Sequence, residues 1–130
     1  MSSLFTKIIN QEIPCHKVAE TEDYLAFLDI NPLVMGHVLC IPKKEVDYIF
    51  DLEDETLAGL MLFSKKVAIA IDKAVDCKRV GVAVIGLEVP HAHVHLVPLQ
   101  NVGDINFSKE KLSPSKEELA SMAKSIQSNN

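Results

Sequence analysis

The stretch from position 91 to position 97 reads HAHVHLV, in which three histidines alternate with apolar residues. On an extended strand every second side chain points to the same side. The pattern therefore predicts that His91, His93 and His95 share one face of a strand, while the intervening apolar side chains pack on the other face. Because imidazole can act as an acid, a base or a nucleophile near neutral pH, the histidine face is a candidate reaction centre.

Three interpretations of this row stay open on the residues alone. The histidines could be packed side chains without a chemical role, although each ring nitrogen then needs a hydrogen-bond partner. They could bind a metal ion, but three alternate positions span roughly 13 Å of strand at about 3.3 Å per residue. A metal site would therefore use two of them with a distant carboxylate or thiolate. They could also form a centre for covalent catalysis.

In the catalytic interpretation His93 is the nucleophile, because it has a histidine on either side. A neutral ring nitrogen attacks a phosphate, a leaving group departs, and a phosphoramidate forms on His93. One neighbour holds the ring in the right tautomer, and a cationic His95 stabilises the added charge on the phosphate oxygens. Water or another acceptor then takes the phosphoryl or nucleotidyl group.

Composition excludes several classes of protein. The 130 residues suffice for one domain with a core, and the formal net charge of −5 opposes a general nucleic-acid-binding role. Charges interrupt the apolar stretches before membrane-spanning length, and the first residues lack the apolar core of a secretory signal. The three cysteines are widely spaced without a CxxC pair, which fits reduced thiols. We therefore expect a cytoplasmic protein that binds neither nucleic acid nor membrane.

Apolar periodicity and the positions of Pro and Gly predict the order of helices and strands. Helices are expected at 4–10, at 51–75 and from about 115 to 125. Strands are expected at 18–20, 24–28, 37–41, 79–85 and 89–99. The inner face of the first helix is expected to carry Leu4, Ile8 and Phe5. Successive strands around one long helix favour an α+β fold, with an antiparallel sheet of about five strands and shorter terminal helices.

The histidine row resembles the signature of the histidine triad (HIT) family, His-φ-His-φ-His-φ-φ, in which φ is apolar. Four upstream stretches also follow the N-terminal pattern of that family, at positions 5–9, 12–14, 25–32 and 36–44. The resemblance covers about residues 4 to 99 and is strongest for the Hint-like branch of nucleotide phosphoramidases and hydrolases. It implies a single HIT domain over residues 1–130, with its core at about 4–99. The C-terminal extension, about 100–130, carries no family signature.

The resemblance implies a nucleotide hydrolase or nucleotidyl transferase that works through a nucleotidyl-histidine intermediate. The substrates of such proteins are purine nucleoside phosphoramidates, dinucleoside polyphosphates or related conjugates. The covalent step is expected to need no metal and no other cofactor, although a divalent ion could accompany a polyphosphate substrate. A homodimer in which the two sheets join is also implied.

The resemblance assigns roles to individual residues. His93 corresponds to the nucleophile, and His91 and His95 correspond to residues that position its ring and contact the phosphate. His37 corresponds to a fourth histidine of the same hydrogen-bond network, and Asp29 to the acid that binds ribose hydroxyls. The positions that line the purine pocket are Phe5, Ile8, Phe27, Ile30 and Leu39. From the residues alone, Asp29 could simply begin a turn, and these five could be core residues.

One segment departs from the family pattern. Leu87 and Glu88 stand where Hint-like proteins have a Gln and a Ser or Thr that donate hydrogen bonds to phosphate. Leucine has no donor, and an ionised Glu88 repels a phosphate oxygen. Glu88 could point away, bind a cationic part of the substrate, or weaken turnover. The departure therefore supports a second hypothesis, a nucleotide-binding or sensing module with little catalysis.

Overall fold

A five-stranded antiparallel sheet forms the centre of the protein, and the computed structural model describes residues 3–130. The strands are β1 (Lys17–Glu20), β2 (Tyr24–Leu28), β3 (Val38–Pro42), β4 (Arg79–Ala83) and β5 (Val94–Leu99). Their order across the sheet is β1-β2-β3-β5-β4, and every neighbouring pair is antiparallel. Three helices flank the sheet, namely α1 (Leu4–Ile9), α2 (Asp54–Ala74) and α3 (Lys116–Gln127). The expected α+β class is confirmed.

The main core lies between one face of the sheet and the helices α2 and α3. Helix α2 contributes an apolar stripe at helical spacing, formed by Leu60, Phe63, Val67, Ala70 and Ile71. The central strands contribute alternate residues to the same core, among them Val38, Cys40, Val94 and Leu96. Burial of each large apolar side chain is worth about 1.5–3 kcal/mol, so the central strands are firmly fixed against the helices.

Helix α1 covers part of the opposite face of the sheet. A second, smaller apolar cluster lies there, formed by Phe5, Leu25, Phe27, Leu39 and Ile41. The rings of Phe5 and Phe27 meet edge to face with 5.4 Å between their centroids. Leu4 is 48% exposed, so the prediction of an inward Leu4 is wrong. A helix of six residues has a narrow inner face, and Phe5 occupies it.

The long helix begins later than the sequence pattern indicates. Ile49–Asp51 forms a separate turn of 3₁₀ helix, and α2 starts at Asp54 instead of position 51. Between them the backbone of Leu52 and Glu53 is extended, with ψ values of 145° and 150°. The side chain of Leu52 is buried in the main core, so burial of this leucine interrupts the helix. The other boundaries lie within two residues of expectation, apart from the start of β5.

Strand β5 begins at Val94, so the prediction of one continuous strand over 89–99 is wrong. Residues 91–93 lie before the strand and do not pair with a neighbouring one. The amide of Ala92 donates instead to the carbonyl of Val46, in the segment after β3, at 2.7 Å. The chain still alternates, because Ala92, Val94 and Leu96 all enter the main core.

Helix α3 returns to the sheet edge formed by β1. Ser115 caps its N-terminus, with its hydroxyl accepting from the amide of Glu118 at 3.1 Å. The side chains of Gln127 and Asn130 donate to the carbonyls of Lys17 and Val18. These contacts extend the helix past the predicted end at about 125. Within residues 3–130, no helix combines the length and the apolar character that crossing a membrane requires.

Candidate active site

A cleft of about 350 Å³ opens on the face of the sheet that α1 partly covers. Two of the three histidines of the row, His93 and His95, line it together with Asp29. The rest of the wall comes from α1, from β3, from the segment before the triad and from the C-terminal segment. Its residues are Leu4, Phe5, Leu39, 85–89, Phe107, Ser108 and Lys111. The cleft thus combines apolar surface with titratable groups, which is typical of ligand sites.

The sheet register places His95 in this cleft. His95 lies opposite Leu39 of β3 and Ala83 of β4, so its side chain shares the face that carries Leu39. His93 lies two residues earlier, and the centroids of the two imidazoles are 4.8 Å apart. Ala92, Val94 and Leu96 enter the core, so the histidines lie on the other side of the chain, but the expected strand face holds only His95, because β5 begins at Val94.

The orientation of the His93 ring determines which nitrogen is reactive. Nδ1 of His93 lies 2.8 Å from the carbonyl oxygen of His91. A carbonyl can only accept, so Nδ1 carries the proton and neutral His93 has its lone pair on Nε2. Every fully buried side-chain nitrogen or oxygen within residues 3–130 has a hydrogen-bond partner. Nε2 of His93 has no such partner among these residues and is therefore reached by solvent in the cleft.

A second pair of imidazoles fixes the proton of His95. The amide of Leu33 donates to Nδ1 of His37 at 3.1 Å, so the proton of neutral His37 is on Nε2. This Nε2–H donates to Nδ1 of His95 at 3.0 Å. The remaining proton of neutral His95 is therefore on its Nε2. The cleft thus presents a lone pair from His93 beside an N–H donor from His95.

His37 and His95 are both uncharged at neutral pH. Burial, with further contributions from Lys111 and His93, lowers the pKa of His37 to about 4. Burial, the charge of His93 and the neighbouring His37 lower the pKa of His95 to about 3. The prediction of a cationic His95 is therefore wrong, because a buried imidazole among other titratable groups resists protonation. Any stabilisation of a phosphate by His95 comes from a neutral N–H donor.

Asp29 stands beside this pair. One of its carboxylate oxygens accepts from the amide of Asn31 at 2.9 Å, and the other lies 3.9 Å from Nε2 of His37. Burial raises the pKa of Asp29, while the hydrogen bond from Asn31 and the charge of Lys111 oppose that shift. The Asn31 contact agrees with the turn interpretation, and the second oxygen faces the histidine pair.

Asp29, His37 and His95 are also the residues that could hold a metal ion. One ligand atom from each lies within 4.8 Å of the others. However, Nδ1 of His37 accepts from a backbone amide, so Nε2 carries a proton and offers no lone pair to a metal. Metal binding would require loss of this amide contact, because His37 and His95 are arranged as a hydrogen-bonded pair with Asp29 3.9 Å from Nε2 of His37.

His91 has a different environment from the other two histidines of the row. It is fully buried behind Phe5, whose ring centroid is 5.8 Å away, and it does not line the cleft. Its Nε2 donates to the carbonyl of Pro42 at 2.7 Å, and its Nδ1 lies 3.1 Å from the hydroxyl of Ser3. Burial lowers the pKa of His91, and the Pro42 hydrogen bond and the charge of Glu45 partly oppose this.

The five apolar residues assigned to the purine pocket are distributed unevenly. Phe5 and Leu39 line the cleft. Phe27 is buried behind Phe5, and Ile8 is half-buried against the same cluster. Ile30 is 60% exposed and lies outside the lining of the cleft. Glu88 and its neighbour Leu87, from the segment before the triad, both line the cleft, and Leu87 is 88% exposed.

Part of the cleft wall was not expected from the sequence. The C-terminal segment contributes Phe107, Ser108 and Lys111, and the ring of Phe107 meets that of His95 with 4.7 Å between centroids. The amide of Leu112 donates to the carbonyl of Pro32 at 2.9 Å, which holds this segment beside the loop after β2. Leu4 of α1 also lines the cleft. A single aromatic residue in a polar stretch was the only sequence signal for this wall.

Comparison with known proteins shows the family of this chain. The chain matches the HIT domain over residues 10–102. It is 39% identical over 102 residues to the adenosine 5'-monophosphoramidase hnt1 of Schizosaccharomyces pombe, covering 78% of this chain and 77% of that protein. A Hit-like protein involved in cell-cycle regulation from Bartonella henselae, with an unknown ligand, superposes with a TM-score of 0.86 at 32% identity, covering 99% of this chain and 97% of that one. A zinc-bound histidine triad family protein from Mycobacterium smegmatis superposes with a TM-score of 0.85 at 26% identity, covering 99% and 93%. The chain therefore belongs to the histidine triad (HIT) family.

Proposed function

We propose that this protein is a nucleotide hydrolase or nucleotidyl transferase that acts on a purine nucleoside phosphoramidate, a dinucleoside polyphosphate or a related conjugate. The observation that carries the proposal is the lone pair on Nε2 of His93, which the Nδ1–H contact to the His91 carbonyl directs away from the backbone. Its place in a nucleotide-sized cleft and the adenosine 5'-monophosphoramidase among the relatives support the same function.

The proposed reaction has two displacements at phosphorus. Nε2 of His93 forms a bond to the α-phosphorus, the bond to the leaving nitrogen or oxygen breaks, and the leaving group takes the bonding electron pair and a proton from solvent. The nucleotidyl-imidazole keeps its Nδ1–H, which the His91 carbonyl accepts. Water then adds its oxygen to phosphorus, the bond from nitrogen to phosphorus breaks, and the proton of that water returns to solvent.

Other cleft residues have roles in binding. The Nε2–H of His95 is positioned to donate to a phosphate oxygen, and Lys111 places a positive charge in the same cleft. Asp29 offers a carboxylate oxygen for ribose hydroxyls, and Phe5 and Leu39 offer apolar surface for a base. In this proposal His91 and His37 act from behind the cleft, through His93 and His95.

Replacement of His93 tests the function. A panel of AMP- and GMP-phosphoramidates and dinucleoside polyphosphates is incubated with the wild type, with His93→Ala and with His16→Ala, a histidine outside the cleft. We expect turnover by the wild type and by His16→Ala, no turnover by His93→Ala, and AMP binding by all three. A nucleotide adduct detected by mass spectrometry after rapid quenching should be absent from His93→Ala. Full activity of His93→Ala on every substrate contradicts the proposal.

The second candidate is a nucleotide-binding or sensing module. The observation in its favour is Glu88, a carboxylate in the cleft at a place where a phosphate needs donors. Tight AMP binding by the wild type without turnover of any substrate in the panel would establish this alternative.

We also propose that the covalent step needs no metal. The lone pair of His93 and the N–H of His95 already supply a nucleophile and a donor. One relative is described as zinc-bound, so the metal requirement is tested directly by turnover after treatment with a chelator. Undiminished turnover of a phosphoramidate is expected, and loss of turnover that zinc restores contradicts the proposal.

Association of two copies through β4 is part of the proposed function. Among residues 3–130, strand β4 is at the edge of the sheet and pairs only with β5. Val82 of this strand and Val84 just after it are exposed, and the exposed Met61 of α2 lines a surface pocket together with Val84. An open strand edge beside apolar surface favours pairing with a second copy, which would join two sheets into one.

A further inference from the structure

Four polar residues from three distant parts of the chain meet behind the histidine row. They are Ser3 and Thr6 of the N-terminal segment, Glu45 of the segment after β3, and His91. One oxygen of Glu45 accepts from the amide of Ser3 at 2.6 Å and from the hydroxyl of Thr6 at 2.6 Å. The hydroxyl of Ser3 lies 3.1 Å from Nδ1 of His91.

The direction of each hydrogen bond follows from the donors present. Nε2 of His91 faces the carbonyl of Pro42 and must donate, so Nδ1 of the neutral ring must accept. The hydroxyl of Ser3 therefore donates its proton to His91 and accepts from the amide of Thr6 at 3.1 Å. The hydroxyl of Thr6 donates to Glu45. This hydrogen bond and the one from the amide of Ser3 lower the pKa of Glu45 to about 2.

The segment 42–46 supplies residues 91 and 92 with the hydrogen-bond acceptors that a neighbouring strand would otherwise provide. Residues 91–93 are not paired in the sheet, yet the carbonyl of Pro42 holds the ring of His91, and the carbonyl of Val46 holds the amide of Ala92. Glu45 lies between these two contacts in sequence and accepts from the amide of Ser3 and the hydroxyl of Thr6, on the other side of the same ring. The imidazole of His91 is therefore fixed at both nitrogens.

We propose that Glu45, acting through Thr6 and Ser3, is a positioning residue that fixes His91 and thereby the lone pair of the proposed nucleophile His93. The connection is the peptide of His91, since its carbonyl oxygen accepts the Nδ1–H of His93 at 2.8 Å. A shift of the His91 backbone, which the fixed ring opposes, would displace this carbonyl and allow His93 to exchange its two tautomers. The predicted effect of Glu45 on turnover rests on the proposed function. The predicted effect of Glu45 on the tautomer of His93 rests on the hydrogen bonds alone.

A simple helix cap does not account for this group. Capping of α1 requires only the contact of the Ser3 hydroxyl with the amide of Thr6. The hydroxyl of Thr6 and the carboxylate of Glu45 contribute nothing to that contact. They instead connect the first turn of α1 to the segment 42–46, 39 residues away in sequence.

Matched substitutions at two positions test the positioning role. Thr6→Val removes the hydroxyl and retains the shape, whereas Thr6→Ser retains the hydroxyl. Glu45→Gln removes the charge, and Glu22→Gln is the control at another exposed carboxylate. We expect Thr6→Val and Glu45→Gln to lower kcat about tenfold with KM within about twofold, because the first loses a hydrogen bond and the second replaces a charged acceptor with a weaker neutral one. Thr6→Ser and Glu22→Gln should retain kcat within about twofold.

A spectroscopic measurement separates positioning from stability. Imidazole ¹⁵N NMR of the folded protein should show one tautomer of His93 in the wild type and in Thr6→Ser, and a mixture in Thr6→Val and Glu45→Gln. If Thr6→Val and Glu45→Gln show the wild-type spectrum, the inference is overturned. This holds even if their activity is lower, because the loss then reflects only a smaller folded fraction. This measurement needs no substrate, so it decides the inference even if the proposed function fails in the His93→Ala experiment.

Discussion

Nε2 of His37 lies 3.0 Å from Nδ1 of His95, and this hydrogen bond joins two imidazoles that the fold keeps uncharged at neutral pH. The pKa of His37 is lowered from 6.5 to about 4 and that of His95 from 6.5 to about 3. In the unfolded chain both rings take up protons as the pH falls below 6.5, while the folded protein resists protonation until much lower pH. The pair therefore destabilises the fold under acidic conditions.

We predict that stability is highest above about pH 6.5 and decreases as the pH falls toward 4. The expected slope is at most about 1.4 kcal/mol per pH unit for each histidine. Urea denaturation between pH 4.5 and pH 7.5 measures the free energy of unfolding. The double variant His37→Gln/His95→Gln should show a shallower pH dependence than the wild type, whatever its absolute stability. Parallel curves for the two proteins would refute this assignment.

The two opposite charges in the cleft should affect AMP binding in opposite directions. Glu88 and Lys111 both line the cleft and do not form an ion pair with each other. We expect Glu88→Gln to strengthen AMP binding and Lys111→Gln to weaken it, each about two- to fivefold, because exposed charges contribute about 0.2–1 kcal/mol. Isothermal titration calorimetry measures the effect, and both differences should shrink at high salt. Equal affinities in the three proteins would show that neither charge faces the phosphate.

Val82 provides a test of association through β4. Its side chain is 52% exposed on the edge strand, so Val82→Lys places a charge where a second copy is proposed to pair. We expect light scattering after size-exclusion chromatography to give twice the chain mass for the wild type and the chain mass for Val82→Lys. Val102→Lys is the control, because Val102 is 89% exposed outside the sheet. A monomeric wild type contradicts the proposal.

The cap of α3 should contribute measurably to stability. The hydroxyl of Ser115 accepts from the amide of Glu118, and the carboxylate of Glu118 accepts in return from the amide of Ser115. Ser115→Ala is expected to lower the free energy of unfolding by about 1 kcal/mol, measured by urea denaturation. Ser113→Ala, two residues before the cap, should change it by less than about 0.5 kcal/mol. Equal losses in both variants would show that the cap is not the cause.

Much of the fold could be predicted from local patterns. The alternation at 91–97 identified which side chains enter the core, and the apolar stripe of α2 identified the long helix. The start of β5 could not be predicted, because it depends on the contact of Ala92 with Val46, which the alternation does not encode. The start of α2 depends in the same way on the burial of Leu52.

The site was only partly predictable for a related reason. His93, His95 and Asp29 were assigned from the triad and its resemblance, and the structure brings them into one cleft. The charge on His95 was predicted wrongly, because burial is a property of the folded protein and not of the residue. Phe107 and Lys111 were missed, since they reach the cleft through a segment without periodicity. The contacts of Ser3 with Glu45 and His91 span 42 and 88 residues, beyond any local pattern.

Strand β5 has hydrogen-bonded neighbours on both sides, with β3 on one and β4 on the other. The amide protons of such an interior strand exchange with solvent mainly when the whole domain opens. His95 thus lies on the part of the backbone that unfolds last. On gradual heating, the N–H donor of His95 should keep its place until the entire molecule collapses, whereas the chain termini can detach earlier, and the N-terminus then takes with it the contacts that fix His91.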